Sequence, residues 1–135
     1  MSDYVGKDEF PEEELRKNIP ALPELQSMQI TLAERGHVIC RFTPPKESMN
    51  YHGNVHGGFI YMMGEVVAGM GCTTCGRDNV ALTGNINYIR KCPIAPLEIE
   101  CTTDHCGRST AVHKVVVRSD DGKLISETTF TMFLL

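Results

Sequence analysis

The sequence predicts an α+β fold: a long central apolar helix wrapped by a curved antiparallel sheet of about six strands, with a short helix at the N-terminus. Three observations predict it. The run from Phe59 to Cys75 holds one charged residue, Glu65, and is apolar or small on every side of a helical wheel. A helix that is apolar all round is a buried helix. On both sides of that run, apolar residues recur with a period of two, as strands require. The strand-like stretches after it are divided by turn signals rather than by further helices, so neighbouring strands run antiparallel. A sheet that covers one helix still has edges, and those edges predict a homodimer.

Each element has its own warrant. Residues 1–24 read as an N-terminal arm. Pro11 followed by Glu12, Glu13 and Glu14 suits the first turn of a short helix, and Pro20 and Pro23 end it. Residues 25–135 read as a single domain. Met28, Ile30 and Leu32 alternate with polar neighbours, and Val38, Cys40 and Phe42 do the same after the Arg35-Gly36 turn, which makes a hairpin. Residues 43–48 break the strand and lead to the glycine-rich entry of the central helix. Strands resume over residues 80–90, 96–105, 110–119 and 123–135. In the second of these, Leu97, Ile99 and Cys101 share one face. In the last, Leu124, Thr128, Phe130 and Met132 do so. Asp120-Asp121-Gly122 is a strong hairpin turn.

The totals narrow the function. A chain of 135 residues with 41% apolar and 22% charged residues is an ordinary soluble domain. The formal net charge is -4 and no Lys/Arg run exists, which argues against nucleic acid or an anionic membrane as partner. The apolar run is long enough to span a bilayer, but Glu65 and its glycines and threonines argue for a buried core helix. The opening Met1-Ser-Asp-Tyr4 predicts no secretory leader and hence a cytoplasmic protein. Its six cysteines, Cys40, Cys72, Cys75, Cys92, Cys101 and Cys106, then read as free thiols packed as small hydrophobes. Cys72-Thr-Thr-Cys75 is a CxxC, but a lone one; zinc calls for a second pair, so the redox or metal reading is the weaker one.

Candidate chemistry centres on residues 50–65. Gly57 and Gly58 stand at the helix start, where backbone N–H groups are unpaired donors at the positive end of the dipole. Two such donors suit a developing oxyanion or an ester or thioester carbonyl; a tight turn for close packing is the plainer alternative. Glu65 can serve as a general base on water or as a nucleophile, or it is a carboxylate capped at a dimer seam. It lies eight residues beyond Gly57, about 12 Å along a helix. The two can meet at one reacting carbon if two copies of the helix run antiparallel across a twofold axis. Asn50 can polarise a carbonyl or hold the loop. His52 and His56 have a metal-like spacing, but Gly53 and Gly57 disfavour a continuous helix there, so no metal site is expected. His56 fits a loop or substrate role, and Thr83 can orient water beside Glu65 or be an ordinary strand residue. Arg90, Lys91 and Arg108 are strand-end cations that can meet phosphates or simply be solvated.

Asn50-x-x-Gly53-x-x-His56-Gly57-Gly58, the apolar helix with an acid nine residues after the histidine, and the strand Asn85-Ile-Asn-Tyr88-Ile-Arg90 together resemble the hotdog-fold acyl-CoA thioesterases. The nearest branch is the phenylacetate-pathway-like (PaaI-like) one, and the resemblance runs from about Gln26 to Leu135. It implies the hotdog fold, assembled as dimers and often as dimers of dimers. It also implies hydrolysis of a small or aromatic acyl-CoA without a cofactor beyond the substrate's own coenzyme A. By that resemblance Gly57 N–H, helped by Asn50, polarises the thioester carbonyl, and Glu65 of the partner subunit activates water or attacks. Thr83 positions the acid or the water, and His56 supports. Gly58, Tyr61, Met62, Arg90, Lys91 and Arg108 are the expected substrate contacts. The branch usually carries Asp where Glu65 stands. The other reading is a hotdog protein that binds acyl-CoA or a related ligand without turning it over.

Overall fold

The computed structural model describes residues 10–135; the first part of the expected arm lies outside them. A short helix α1 (Glu12–Arg16) precedes a hairpin of β1 (Gln29–Glu34) and β2 (His37–Phe42). The central helix α2 (Gly57–Thr74) follows, then strands β3 (Asn79–Tyr88), β4 (Leu97–Cys106), β5 (Thr110–Ser119) and β6 (Leu124–Leu134). The strands form one antiparallel sheet in the order β1-β2-β4-β5-β6-β3, with α2 packed on its concave face. This is the hotdog arrangement. Among the described residues no helix is long and apolar enough to cross a membrane.

The ends of α2 follow from local chemistry. His56 is the N-cap, and its ring Nδ1 accepts from Gly58 N–H at 2.9 Å. At the other end Gly76 takes φ +81°, a conformation that costs glycine little. Gly76 N–H then donates to Thr73 O and Arg77 N–H to Cys72 O, the paired bonds of a Schellman stop. Val66, Val67, Ala68, Met70 and Cys72 of the helix are buried against Val38, Cys40, Ile99, Cys101, Val115 and Phe130 of the sheet.

Two expectations need correction. Met28, Ile30 and Leu32 do not share one face. The register slips between Ile30 and Leu32, leaving Thr31 as a bulge, so Ala33 rather than Leu32 packs on the core. Nor is the helix buried all round within one chain. Its face carrying Phe59, Met62, Glu65 and Thr73 is only partly buried. The reason is sheet order: β3 closes that side as the last strand, pairs only with β6, and leaves its own outer edge open. Val80 and Leu82 on that edge strand are 50% and 54% exposed.

Candidate active site

The loop before α2 is held shut by its own polar groups. Asn50 Oδ1 accepts from His52 N–H at 3.0 Å and Asn54 N–H at 3.2 Å. Asn50 N–H donates to Asn54 O, Val55 N–H to Cys92 O, and His56 N–H to Ser48 O. Gly53, at φ +85°, turns the chain between them. Asn50 and His56 are thus loop fasteners through these atoms, and Asn50 Nδ2 donates to no other described residue. His56 is committed to its cap, and no metal-binding group of three His, Cys, Asp or Glu occurs among the described residues.

That fastening leaves one donor open rather than two. Gly58 N–H is taken by the His56 ring, so the expected glycine pair reduces to Gly57. Gly57 N–H donates to no described residue. Gly57 lines a cavity of about 500 Å³ shared with Asn50, His52, Tyr88, Arg90 and Lys91. Tyr88 was only part of the quoted strand motif, yet it fixes this corner. Its Oη donates to Gly57 O at 2.8 Å, and a Cβ on Gly57 would stand 3.0 Å from its ring. Glycine at 57 is therefore a matter of close approach as well as of access.

Arg90 and Lys91 also border a second cavity of about 650 Å³, which Lys123 lines as well. Arg90 Nη1 is anchored on Leu124 O at 2.9 Å. Arg108 lies elsewhere, on the β4–β5 turn, where its carbonyl accepts from Arg77 just past the end of α2. Within one chain the helix length separates it from Arg90 and Lys91.

Glu65 opens onto its own cavity of about 400 Å³, floored by Met62, Glu65, Val66 and Gly69 and walled by Asn18, Pro20, Asn79, Ala81 and Met132. Thr83 is exposed on β3, just beyond a bulge at Leu82, and is not among the residues lining this space. Tyr61 packs edge-on against Phe130 at 5.1 Å, and its Oη fills the place a side chain at Gly84 would need. So one chain presents an open N–H at the start of α2 and an accessible carboxylate two turns on. They are about 12 Å apart along an unbroken helix and face different cavities.

Residues 52–126 match the thioesterase superfamily. That stretch is more than half of the chain. The chain belongs to the thioesterase superfamily. Two solved structures reinforce this. One is a hypothetical thioesterase protein with coenzyme A from Streptococcus pneumoniae, 31% identical over 81% of this chain and 89% of that one, with a TM-score of 0.78. The other is smu.793 from Streptococcus mutans bound to acetyl CoA, 30% identical over 87% of this chain and 95% of that one, with a TM-score of 0.80. A PaaI phenylacetic acid degradation protein from Thermus thermophilus is 28% identical over 80% of this chain and 93% of that one, with a TM-score of 0.74. A search of the curated proteins gave no match.

The sulfur chemistry of this thioesterase-superfamily chain is quiet. All six cysteines are free thiols. Burial pushes Cys40 and Cys72 up to about 12 and Cys75 up to about 11, so none of these three is a ready nucleophile. A buried polar group that the sequence reading missed sits beside Cys72. His113, fully buried on β5, has Nε2 3.1 Å from Cys72 Sγ and Nδ1 2.9 Å from Thr103 Oγ1. Burial pulls its pKa down to about 4, so at neutral pH one ring nitrogen donates and the other accepts.

Proposed function

We propose that this chain is an acyl-CoA thioesterase that works as a homodimer on small or aromatic acyl groups. Gly57 N–H of one chain binds the thioester carbonyl. Glu65 of the partner subunit takes a proton from water, which attacks the carbonyl carbon; the carbon–sulfur bond breaks, Glu65 returns that proton to the sulfur, and coenzyme A leaves as the thiol. Asn50 supports the carbonyl and His56 holds the loop. Thr83 sits on the edge strand, where a second copy can bring it beside the acid. Arg90 and Lys91, on the rim of the Gly57 cavity, meet the phosphates. Gly58, Tyr61, Met62 and Arg108 complete the substrate surface. In this reading residues 25–135 are the catalytic domain and residues 1–24 an outer arm, and the free thiols fit a cytoplasmic setting.

One observation carries the reading: the open Gly57 N–H and the accessible Glu65 carboxylate stand on one helix too far apart to serve one carbon. A second copy removes that mismatch. The unpaired β3 edge, with Val80 and Leu82 exposed, supplies a surface for it. The test is hydrolysis of an acyl-CoA panel by wild type and Glu65→Gln. The variant should lose on the order of 10²–10⁴ in kcat while still binding acyl-CoA. Equal rates for the two proteins would leave a ligand-binding protein in place of an enzyme.

A further inference from the structure

The N-terminal arm lies outside the stretch that matches the superfamily, yet it walls the cavity of Glu65. It is firmly seated. Leu15 is fully buried and Ile19 nearly so. The Arg16 guanidinium donates to Met28 O and Gln26 O, both at 2.8 Å, and folds the arm into a hook. Asn18 then reaches across the fold. Its Nδ2 donates to Leu15 O at 3.0 Å and to Thr73 Oγ1 at 2.9 Å, and Thr73 in turn donates to Gly69 O.

Gly69 makes this seat. A Cβ there would stand 2.6 Å from Asn18 Oδ1, closer than real atoms approach. Gly69 is also four residues past Glu65, so both lie on one face of α2, one turn apart. Asn79 closes the opposite side, its Nδ2 donating to Gly69 O at 3.4 Å. Neither Oδ1 accepts a hydrogen bond from a described residue.

The geometry points to Asn18 and Pro20 as the end wall of the acyl pocket, with Gly69 as the residue that lets the wall stand so close to Glu65. This rests on the acyl-CoA reading above. The coenzyme A side of a substrate belongs with the cations at the helix start. Its acyl side then runs past Glu65 toward Gly69, where it meets a carboxamide and a proline ring rather than open space. The wall selects short acyl groups by stopping longer ones.

The test is the ratio of kcat/KM for octanoyl-CoA to that for acetyl-CoA in the full-length protein. Asn18→Ala removes the wall and should raise that ratio, by about fourfold for each methylene newly admitted. Asn18→Leu keeps the volume without the hydrogen bonds and should hold the ratio near the wild-type value. Gly69→Ala should lower the unfolding midpoint in the wild-type background but not with Asn18→Ala, where the clashing atom is gone and alanine's better helix propensity raises it. The same acyl series is bound to Glu65→Gln with and without Asn18→Ala, so that selection is read without turnover. A folded Asn18→Ala protein with the wild-type ratio and the wild-type affinity profile overturns the wall while leaving the thioesterase reading intact. A protein that binds with a shifted profile but never hydrolyses keeps the wall and removes the enzyme. Absence of both binding and hydrolysis in the wild type removes both.

Discussion

Protonating His113 should cost the fold stability as pH falls below neutrality. The ring is fully buried, and burial holds its pKa at about 4 against an ordinary 6.5. The folded chain therefore binds that proton less well than the unfolded chain by about 3 kcal/mol. The sign follows directly. Between pH 6.5 and 4 the unfolded chain takes up a proton that the folded chain refuses, so stability falls as pH falls through that window. Above 6.5 the contribution is complete, and below 4 no more is lost. Thr103 and Cys72 can satisfy either neutral tautomer. Cys72, with its thiol pushed up to about 12, offers no anion to an imidazolium. The assay is urea unfolding at fixed protein concentration across this pH range, for wild type and His113→Gln. Carboxylates titrate in both proteins, so the difference between them isolates the histidine. That difference should shrink by about 3 kcal/mol from neutral pH to pH 4. A difference that stays constant with pH would refute the assignment of a neutral buried ring.

Two further outcomes are expected. His56→Ala removes the cap of α2 and should lower stability by about 1 kcal/mol in denaturant unfolding, with most of it regained by His56→Asn, whose side chain also caps. Leu82→Lys places a charge on the open β3 edge. It should shift sedimentation toward monomer and lower hydrolysis in parallel, because the site needs both copies.

The parts that could be read from the sequence are those set by near neighbours in the chain. Alternation along Val38, Cys40 and Phe42 gave a strand because one face is buried. The run from Phe59 to Cys75, interrupted only by Glu65, gave the helix because it is apolar or small on every side. Asn50 and His56 were legible as loop residues because their partners, His52, Asn54 and Gly58, lie within four positions. What stayed hidden depends on distant partners or on single-residue slips. The bulge at Thr31 turns Leu32 outward without altering composition. Tyr88 reaches Gly57 only because the chain places β3 beside the helix start. His113 is in phase with Ala111 and Val115, but its partners Thr103 and Cys72 come from β4 and α2. Asn18 meets Thr73 across 55 residues, which no local pattern announces. Glu65 was legible as an anomaly, and its partial exposure shows why: the sheet order leaves its face of the helix for something else to cover.

The central claim is that one site draws Gly57 from one chain and Glu65 from the other, and mixed dimers test it most directly. Gly57→Pro deletes the open N–H at the first helical position, where the backbone after an extended His56 at ψ 137° suits proline; its Cβ would stand 3.0 Å from the Tyr88 ring, so that exposed ring must turn aside. Glu65→Gln deletes the acid, so each variant alone should be inactive. Unfolded together and refolded as a mixture, they should regain about a quarter of wild-type turnover, since half the dimers then carry one intact site. Turnover that remains at the level of the separate variants after mixed dimers have formed would contradict the shared site.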